Sequence, residues 1–164
     1  MTNQQTGQIC DDIQSSGQMN WWKFTYNQGL FIGGATELFK STQDKNYLKK
    51  AAIVVSYILT QEVENSSFGN VLTDGDANQC QGDCTEFKGP TIRYLAEYYQ
   101  ATGDNDVKQF ILNSANAVWN LARNEADLFA VSWSGPSPSP TDQVSENQQN
   151  AAAMALSAAA KVCS

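Results

Sequence analysis

Apolar residues recur along most of this chain at helical spacing. Between 27 and 41, Phe31, Ala35, Leu38 and Phe39 fall at i, i+4, i+7 and i+8, which is one stripe of an amphipathic helix. Leu48, Ala51, Ala52, Val55, Ile58 and Leu59 predict a second helix over 46–60, and the short turn at 42–46 makes the two antiparallel neighbours. Ile92, Leu95, Ala96 and Tyr99 predict a third over 86–101, with Pro90 tolerated in its first turn and Gly103 as a natural stop. Ile111, Ala115, Val118 and Ala122 mark a fourth over 105–123. A fifth, over 143–162, is apolar almost all round from Ala151 to Ala160, which predicts burial on most sides. No segment alternates convincingly with a period of two, so little sheet is expected.

The helices repeat. A shift of 60 positions lays Gly29, Ile32, Glu37, Thr42 and Asp44 over Gly89, Ile92, Glu97, Thr102 and Asp104. The unit is an α-hairpin with its return loop, and the fifth helix opens a third copy. Such hairpins bury both faces only by stacking into an array or closing into a ring. The predicted fold is therefore all-α: an N-terminal loop segment over 1–23, then an array of antiparallel α-hairpins over 24–164. The return loops, 71–84 and 131–141, and the starts of the helices that follow share one end of the array. That end is where a site would be built.

Composition narrows the chemistry. The 164 residues include no histidine, which excludes a Ser-His-Asp triad and any His-ligated metal. Acid–base work falls to carboxylates, tyrosines or lysines, and neither a metal nor a cofactor is expected. Ten basic against seventeen acidic side chains give a net charge of −7. Scattered cations on an acidic chain argue against nucleic acid or an anionic membrane as partner. No apolar run approaches the ~20 residues of a membrane span. Charged residues make up only 16%, so Asn, Gln, Ser and Thr must cover the surface, as is common outside cells.

Four cysteines stand at 10, 80, 84 and 163. Cys80 and Cys84 share a polar, Gly-containing loop, where a local disulfide is the first reading and a metal half-site the weaker second. Cys10 and Cys163 are either bridged or free. Asn65-Ser66-Ser67 is a glycosylation acceptor. These features lean towards an oxidising compartment, a secreted or cell-wall setting, although Met1 to Gln8 have neither the basic start nor the apolar stretch of a signal peptide.

Phe24-Thr25-Tyr26-Asn27-Gln28-Gly29 opens the first helix of one repeat, and Glu86-Phe87-Lys88-Gly89 opens the corresponding helix of the next. Aromatic, amide and charged groups at helix starts are the side chains that stack on and hydrogen-bond to sugars. On composition alone the favoured reading is that Tyr26 and Phe87 are core aromatics, Asn27 a cap, and Gly29 and Gly89 points of close helix approach. Trp21-Trp22 is a hydrophobic anchor or a stacking platform. Asp74-Gly75-Asp76 reads as a turn, and Glu86 as a first-turn acid that complements the helix dipole.

Phe24 to Gly34, Tyr47-Leu48-Lys49-Lys50-Ala51, Cys84 to Gly89 with Arg93-Tyr94-Leu95, and Trp133-Ser134-Gly135-Pro136 together resemble glycoside hydrolase family 76. That family contains the endo-α-1,6-mannanases and related fungal cell-wall proteins that process mannan-bearing anchors. The resemblance implies a six-hairpin (α/α)6 toroid, of which 164 residues make about half. It implies an α-1,6-mannan or other mannose-containing glycan as partner, with Tyr26, Asn27, Gln28, Glu86, Phe87, Lys88 and Arg93 lining subsites. It also places the Ser134 to Pro140 loop over the ring mouth.

The family's catalytic feature is a pair of consecutive aspartates on an inner helix among tryptophans, acting as nucleophile and acid/base. A retaining mechanism sets two carboxyl groups roughly 5–5.5 Å apart across the scissile bond. Asp11-Asp12 is the one adjacent pair here and the only catalytic candidate. Its setting, beside Cys10 and some fifteen residues before the Tyr26 motif, matches instead an Asp-Gly-Ile loop of the family. The catalytic pair is thus expected in hairpins upstream, and the chain is expected to be a truncated copy that lacks it. Two other readings are a non-catalytic glycan-binding half-toroid and an α-hairpin scaffold that needs a partner, with self-association through its open edges.

Overall fold

The computed structural model describes residues 2–3, 5–75 and 82–164. Five long helices carry the fold: α1 (Thr25–Thr42), α2 (Asn46–Gln61), α3 (Lys88–Thr102), α4 (Asn105–Asn120) and α5 (Glu146–Cys163). α1, α3 and α5 pack side by side as an inner row, while α2 and α4 lie outside them and touch each other little. Because each inner helix is followed by an outer one that runs back, the three inner helices are parallel. Their N-termini gather at one end with the long loops.

The 60-residue repeat is visible bond for bond. α1 ends on Gln43 and α3 on Gly103, both left-handed (φ 61° and 71°), with cap N–H groups donating to Phe39 and Tyr99 carbonyls. Asp44 N–H bonds Thr42 Oγ1, as Asp104 N–H bonds Thr102 Oγ1. Asn46 N–H then bonds Asp44 Oδ1, as Asp106 N–H bonds Asp104 Oδ1. These are the local side-chain bonds that let Asp open a helix. The glycines repeat too. A Cβ on Gly29 would lie 2.6 Å from Thr91 Cα, and one on Gly89 would lie 3.2 Å from Ala151 Cα. Residues 91 and 151 are again 60 apart, so the α1–α3 and α3–α5 contacts are the same contact made twice.

The core is the seam between the two rows, where Ile32, Val54, Ile58, Ile92, Leu95, Val107, Ile111 and Ala152 are fully buried. Polar ties cross the inner row at the end away from the loops. Glu97 on α3 takes Lys40 of α1 at 3.1 Å on one oxygen and Lys161 of α5 on the other. The Lys161 bond chiefly, with help from Lys40, holds the Glu97 carboxyl below its ordinary range. A depressed carboxylate stabilises the fold above its unfolded value of about 4.3, and that stabilisation is lost as pH falls through the lower folded value. Glu97→Gln is therefore expected to lower stability by about 0.5–1 kcal/mol at pH 7, as befits a partly exposed pair. The difference should shrink as pH is lowered below about 4, as read from urea midpoints across that range.

Boundaries shift by a few residues where local chemistry intervenes. Asp83–Glu86 form a 3-10 turn ahead of α3, so that helix starts at Lys88 instead of 86. α5 starts at Glu146 because Ser145 and Gln148 form a reciprocal capping box. Two short antiparallel hairpins add minor sheet: β1 (Asp12–Ile13) with β2 (Met19–Asn20), and β3 (Val63–Ser66) with β4 (Gly69–Leu72). β4 buries Val71 and Leu72 against α4, where Leu72 N–H donates to Ser114 Oγ at 3.2 Å.

α5 is the main departure from the sequence reading. Ala151, Ala152, Ala155, Ala158 and Val162 are buried, but Ala153, Ser157 and Ala160 are exposed. α5 packs on α3, α4 and the Asp83–Glu86 turn, leaving an open edge. At the other edge Leu30 and Leu38 of α1 and Ile53 of α2 are also exposed. Cys10 is buried and free, and Cys163 is exposed and free. The expected Cys80–Cys84 bridge and the residue Asp76 fall outside the described residues. Among the described residues no helix is long and apolar enough to cross a membrane, and no cluster of three or more His, Cys, Asp or Glu is grouped to hold a metal.

Candidate functional site

At the loop end a small aromatic cluster stands apart from the main core. Phe24 and Cys84 are its buried pair, with half-buried Tyr26 and Phe87 packed against them. Tyr26 and Phe87, from the first turn of α1 and the entry to α3, meet at 4.5 Å between ring centres. Phe24 meets Phe87 edge-on at 5.2 Å, and Trp22, 53% exposed, meets Phe24 edge-on at 5.3 Å. The motifs are thus brought together because α1 and α3 are parallel and start at the same height.

One carboxylate is fixed beside these rings. Tyr26 Oη donates to Asp11 Oδ1 at 2.8 Å, and Asn27 Nδ2 donates to the same oxygen at 2.7 Å. Burial first, then the bond to Asp11 and its charge, push the Tyr26 phenol up, so it stays a donor at neutral pH. Asp11 is half-buried, Asp12 exposed, and Glu86 half-buried next to Phe87 in the chain. Asp11 directly precedes β1, its N–H bonded to Asn20 O at 2.9 Å, and Asp12 opens that strand. Asp11 accepts both the Tyr26 and the Asn27 bond, while Asp12 acts on Tyr26 through its charge.

The other residues singled out from sequence are placed differently. Gln28 is fully buried, and among the described residues neither its Oε1 nor its Nε2 has a hydrogen-bond partner. Lys88 is also buried, with its ammonium donating to Val131 O at 2.7 Å and lying 5.2 Å from the centre of the Trp133 ring. Arg93 is exposed and stacks on Tyr94 at 4.6 Å. It lines a groove of about 420 Å³ between α3 and α5, with Ala96, Asn150, Met154 and Lys161. Tyr26, Asn27, Phe87 and Asp11 form one surface. Gln28 and Lys88 face inward, and Arg93 belongs to a second surface.

Beneath the aromatic cluster lies a buried polar layer that sequence reading missed. Asp74, only 2% exposed, accepts the Thr25 backbone N–H at 2.7 Å. The Thr25 hydroxyl lies beside the same carboxylate but outside hydrogen-bonding geometry, so among the described residues Thr25 Oγ1 and Asp74 Oδ2 have no hydrogen-bond partner. Burial pushes the Asp74 carboxyl up and the Lys88 ammonium down; the charge of each opposes the shift of the other. The charge of Glu64 on β3 also opposes the lowering of Lys88, and its Oε1 accepts from Ser132 Oγ at 3.3 Å and Ser134 N–H at 3.4 Å. Asp74 is 49 positions from Thr25, and no local pattern announces that pairing.

The match to a family model decides the kinship: residues 1–162 fit glycosyl hydrolase family 76. The chain belongs to that family. Among solved structures it is similar to the Lin0763 protein from Listeria innocua, with a TM-score of 0.85 and 27% identity over 98% of this chain and 44% of that one. It is also similar to the GH76A α-1,6-mannanase from Salegentibacter sp. HEL1_6, with a TM-score of 0.85 and 26% identity over 99% and 48%. An inactive variant of that mannanase has been solved in complex with α-1,6-mannotriose. Dfg5 from Chaetomium thermophilum shares the fold, with a TM-score of 0.69 and 21% identity over 88% and 36%. No curated protein sequence matches this chain. The chain spans about half the length of the first structures it matches, and its hairpin array is a partial (α/α) toroid.

Proposed function

We propose that this chain is the glycan-binding half of a mannan-processing glycoside hydrolase, and that it recognises α-1,6-linked mannose at the loop end without cleaving it alone. The observation that carries this reading is the Tyr26–Asn27–Asp11 arrangement beside Phe87. It offers a fixed carboxylate to sugar hydroxyls and aromatic faces to the sugar ring. Kinship with a mannanase of known α-1,6-mannotriose complex supplies the linkage. Hydrolysis with retention needs two converging carboxyl groups, and this reading assigns that pair to neither Asp11, which is engaged by Tyr26 and Asn27, nor Asp12.

The open edges at α1 and α5 belong to the same proposal: two apolar borders favour self-association until they are covered. So does an extracellular or cell-wall setting, with a sugar on exposed Asn65 and a bridge between Cys80 and Cys84. Titration of α-1,6-mannotriose into the purified chain should give saturable heat, and incubation with α-1,6-mannan should release no oligosaccharide. Tyr26→Ala should weaken binding by about tenfold or more. An absence of heat at millimolar trisaccharide contradicts the binding claim. Steady release of oligosaccharide contradicts the claim of no turnover, and Asp11→Asn and Asp12→Asn would then locate its source.

A further inference from the structure

Trp22 is a large aromatic side chain at the loop end with no part in the arrangement of Tyr26, Asn27 and Asp11. It is 53% exposed and meets the aromatic cluster edge-on, through Phe24 at 5.3 Å. A hydrophobic anchor works by burial, and in this segment Phe24, 8% exposed, does that. Trp22 leaves about half of its surface in water, on a backbone that is held on both sides. The Trp21 carbonyl accepts Gln8 Nε2 at 2.8 Å, and the Thr25 N–H donates to buried Asp74 at 2.7 Å. Only the side-chain torsions of Trp22 remain to be ordered by a ligand, the low-entropy presentation that makes an aromatic ring a good contact group.

Phe24 lies 5.3 Å from Trp22 and 6.4 Å from Tyr26, so the Trp22 and Tyr26 rings are at most about 12 Å apart. They are also steeply inclined to each other, because Phe24 is within 24° of the Tyr26 plane while Trp22 stands at 80° to Phe24. No single sugar ring lies flat on both. An α-1,6 linkage carries the exocyclic C5–C6 bond between its rings, so successive mannose residues can turn to meet differently tilted faces. We propose that Trp22 is a second sugar platform, which stacks on one mannose of an α-1,6-linked chain while Tyr26 and Phe87 hold another. This deepens the sugar-binding role proposed for the loop end, and it rests on that role. A mannose tethered to one already bound meets Trp22 at high effective concentration, so its contact adds to the affinity for longer chains. The indole thereby sets a preference for oligosaccharides over a single sugar.

The unaltered chain, Trp22→Ala and Trp22→Phe are each titrated with methyl α-mannoside, which reaches one platform, and with α-1,6-mannotriose, which reaches both. Affinity is read by calorimetry and NMR, and the melting temperature by circular dichroism. The unaltered chain should bind the trisaccharide about tenfold or more tighter than the monosaccharide. Trp22→Ala should remove most of that gain, leave the monosaccharide affinity unchanged and keep the melting temperature, since the side chain is exposed. Trp22→Phe, which retains a flat apolar face, should recover most of the gain. In the unaltered chain the Trp22 indole N–H signal should move with the trisaccharide and stay still with the monosaccharide, while Tyr26 and Asn27 move with both. A Trp22→Ala chain that keeps the full gain, or that loses affinity for both ligands equally, would overturn the second platform. A lowered melting temperature in that variant, which marks an anchor, or an indole signal unmoved by bound trisaccharide would do the same. Binding of neither ligand would defeat the sugar reading itself, and the second platform with it. Trisaccharide binding with an unmoved Trp22 defeats the platform alone.

Discussion

Gly29→Val is expected to lower stability by at least about 3 kcal/mol. Even the first side-chain carbon would lie 2.6 Å from Thr91 Cα and 3.0 Å from Thr91 N, and both are backbone atoms with no rotamer to yield. Overpacking of a good core usually costs about 1–3 kcal/mol, where side chains give way. Here whole helices must separate, and the α1–α3 contact they would open is the most extensive in the fold. Natural domains hold about 5–15 kcal/mol in all, so a loss on this scale should bring the urea midpoint down sharply. Gly34→Ala on the same helix is the control. A Cβ there meets nothing within 4 Å, and removal of glycine from a helix interior should add about 0.5–1 kcal/mol. Equal effects from the two changes would show that the inner helices are not held at glycine distance.

Trp133→Ala is expected to cost about 3–5 kcal/mol, the usual range for a deleted buried aromatic. Trp133 is 1% exposed, belongs to the main core, and carries the Lys88 ammonium over its ring. Truncation removes the packing and also leaves a buried cation with one fewer partner. Trp133→Phe keeps an aromatic face for Lys88 and should cost less than half as much. Urea denaturation followed by circular dichroism reads both. A Trp133→Ala chain as stable as the unaltered one would mean that the loop after α4 is not part of the core.

Much of the architecture was legible in the sequence because the repeat is carried by local chemistry. Thr42 and Asp44, like Thr102 and Asp104, bond to backbone groups two residues away, so the turn can be read from a short window. Glycine at 29 and 89 marks the close approach of inner helices, which the structure places at equivalent contacts. The fifth helix misled because composition reports apolar content but not what lies alongside: its alanines are divided between a packed face and an open one.

The site was legible only in part, for a related reason. Tyr26, Asn27 and Phe87 stand in motifs whose positions at helix starts gave them away, and the parallel inner row brings them together. Gln28 and Lys88 sit in the same motifs but turn inward, since one step along a helix rotates a side chain by about 100°. Asp74 looked like an ordinary turn residue, because its meaning depends on Thr25 and Lys88, which only the folded chain places beside it. Asp11 and Asp12 drew attention as adjacent acids. In the fold Asp11 is the acceptor for the Tyr26 and Asn27 donors, while Asp12 is exposed in β1.

The most direct measurement is chemical-shift mapping of the chain during titration with α-1,6-mannotriose. The account predicts saturable shifts at Asp11, Trp22, Tyr26, Asn27 and Phe87, with Arg93, Asn150 and Lys161 in the groove between α3 and α5 unmoved. Shifts confined to that groove, or none anywhere at millimolar trisaccharide, would contradict it.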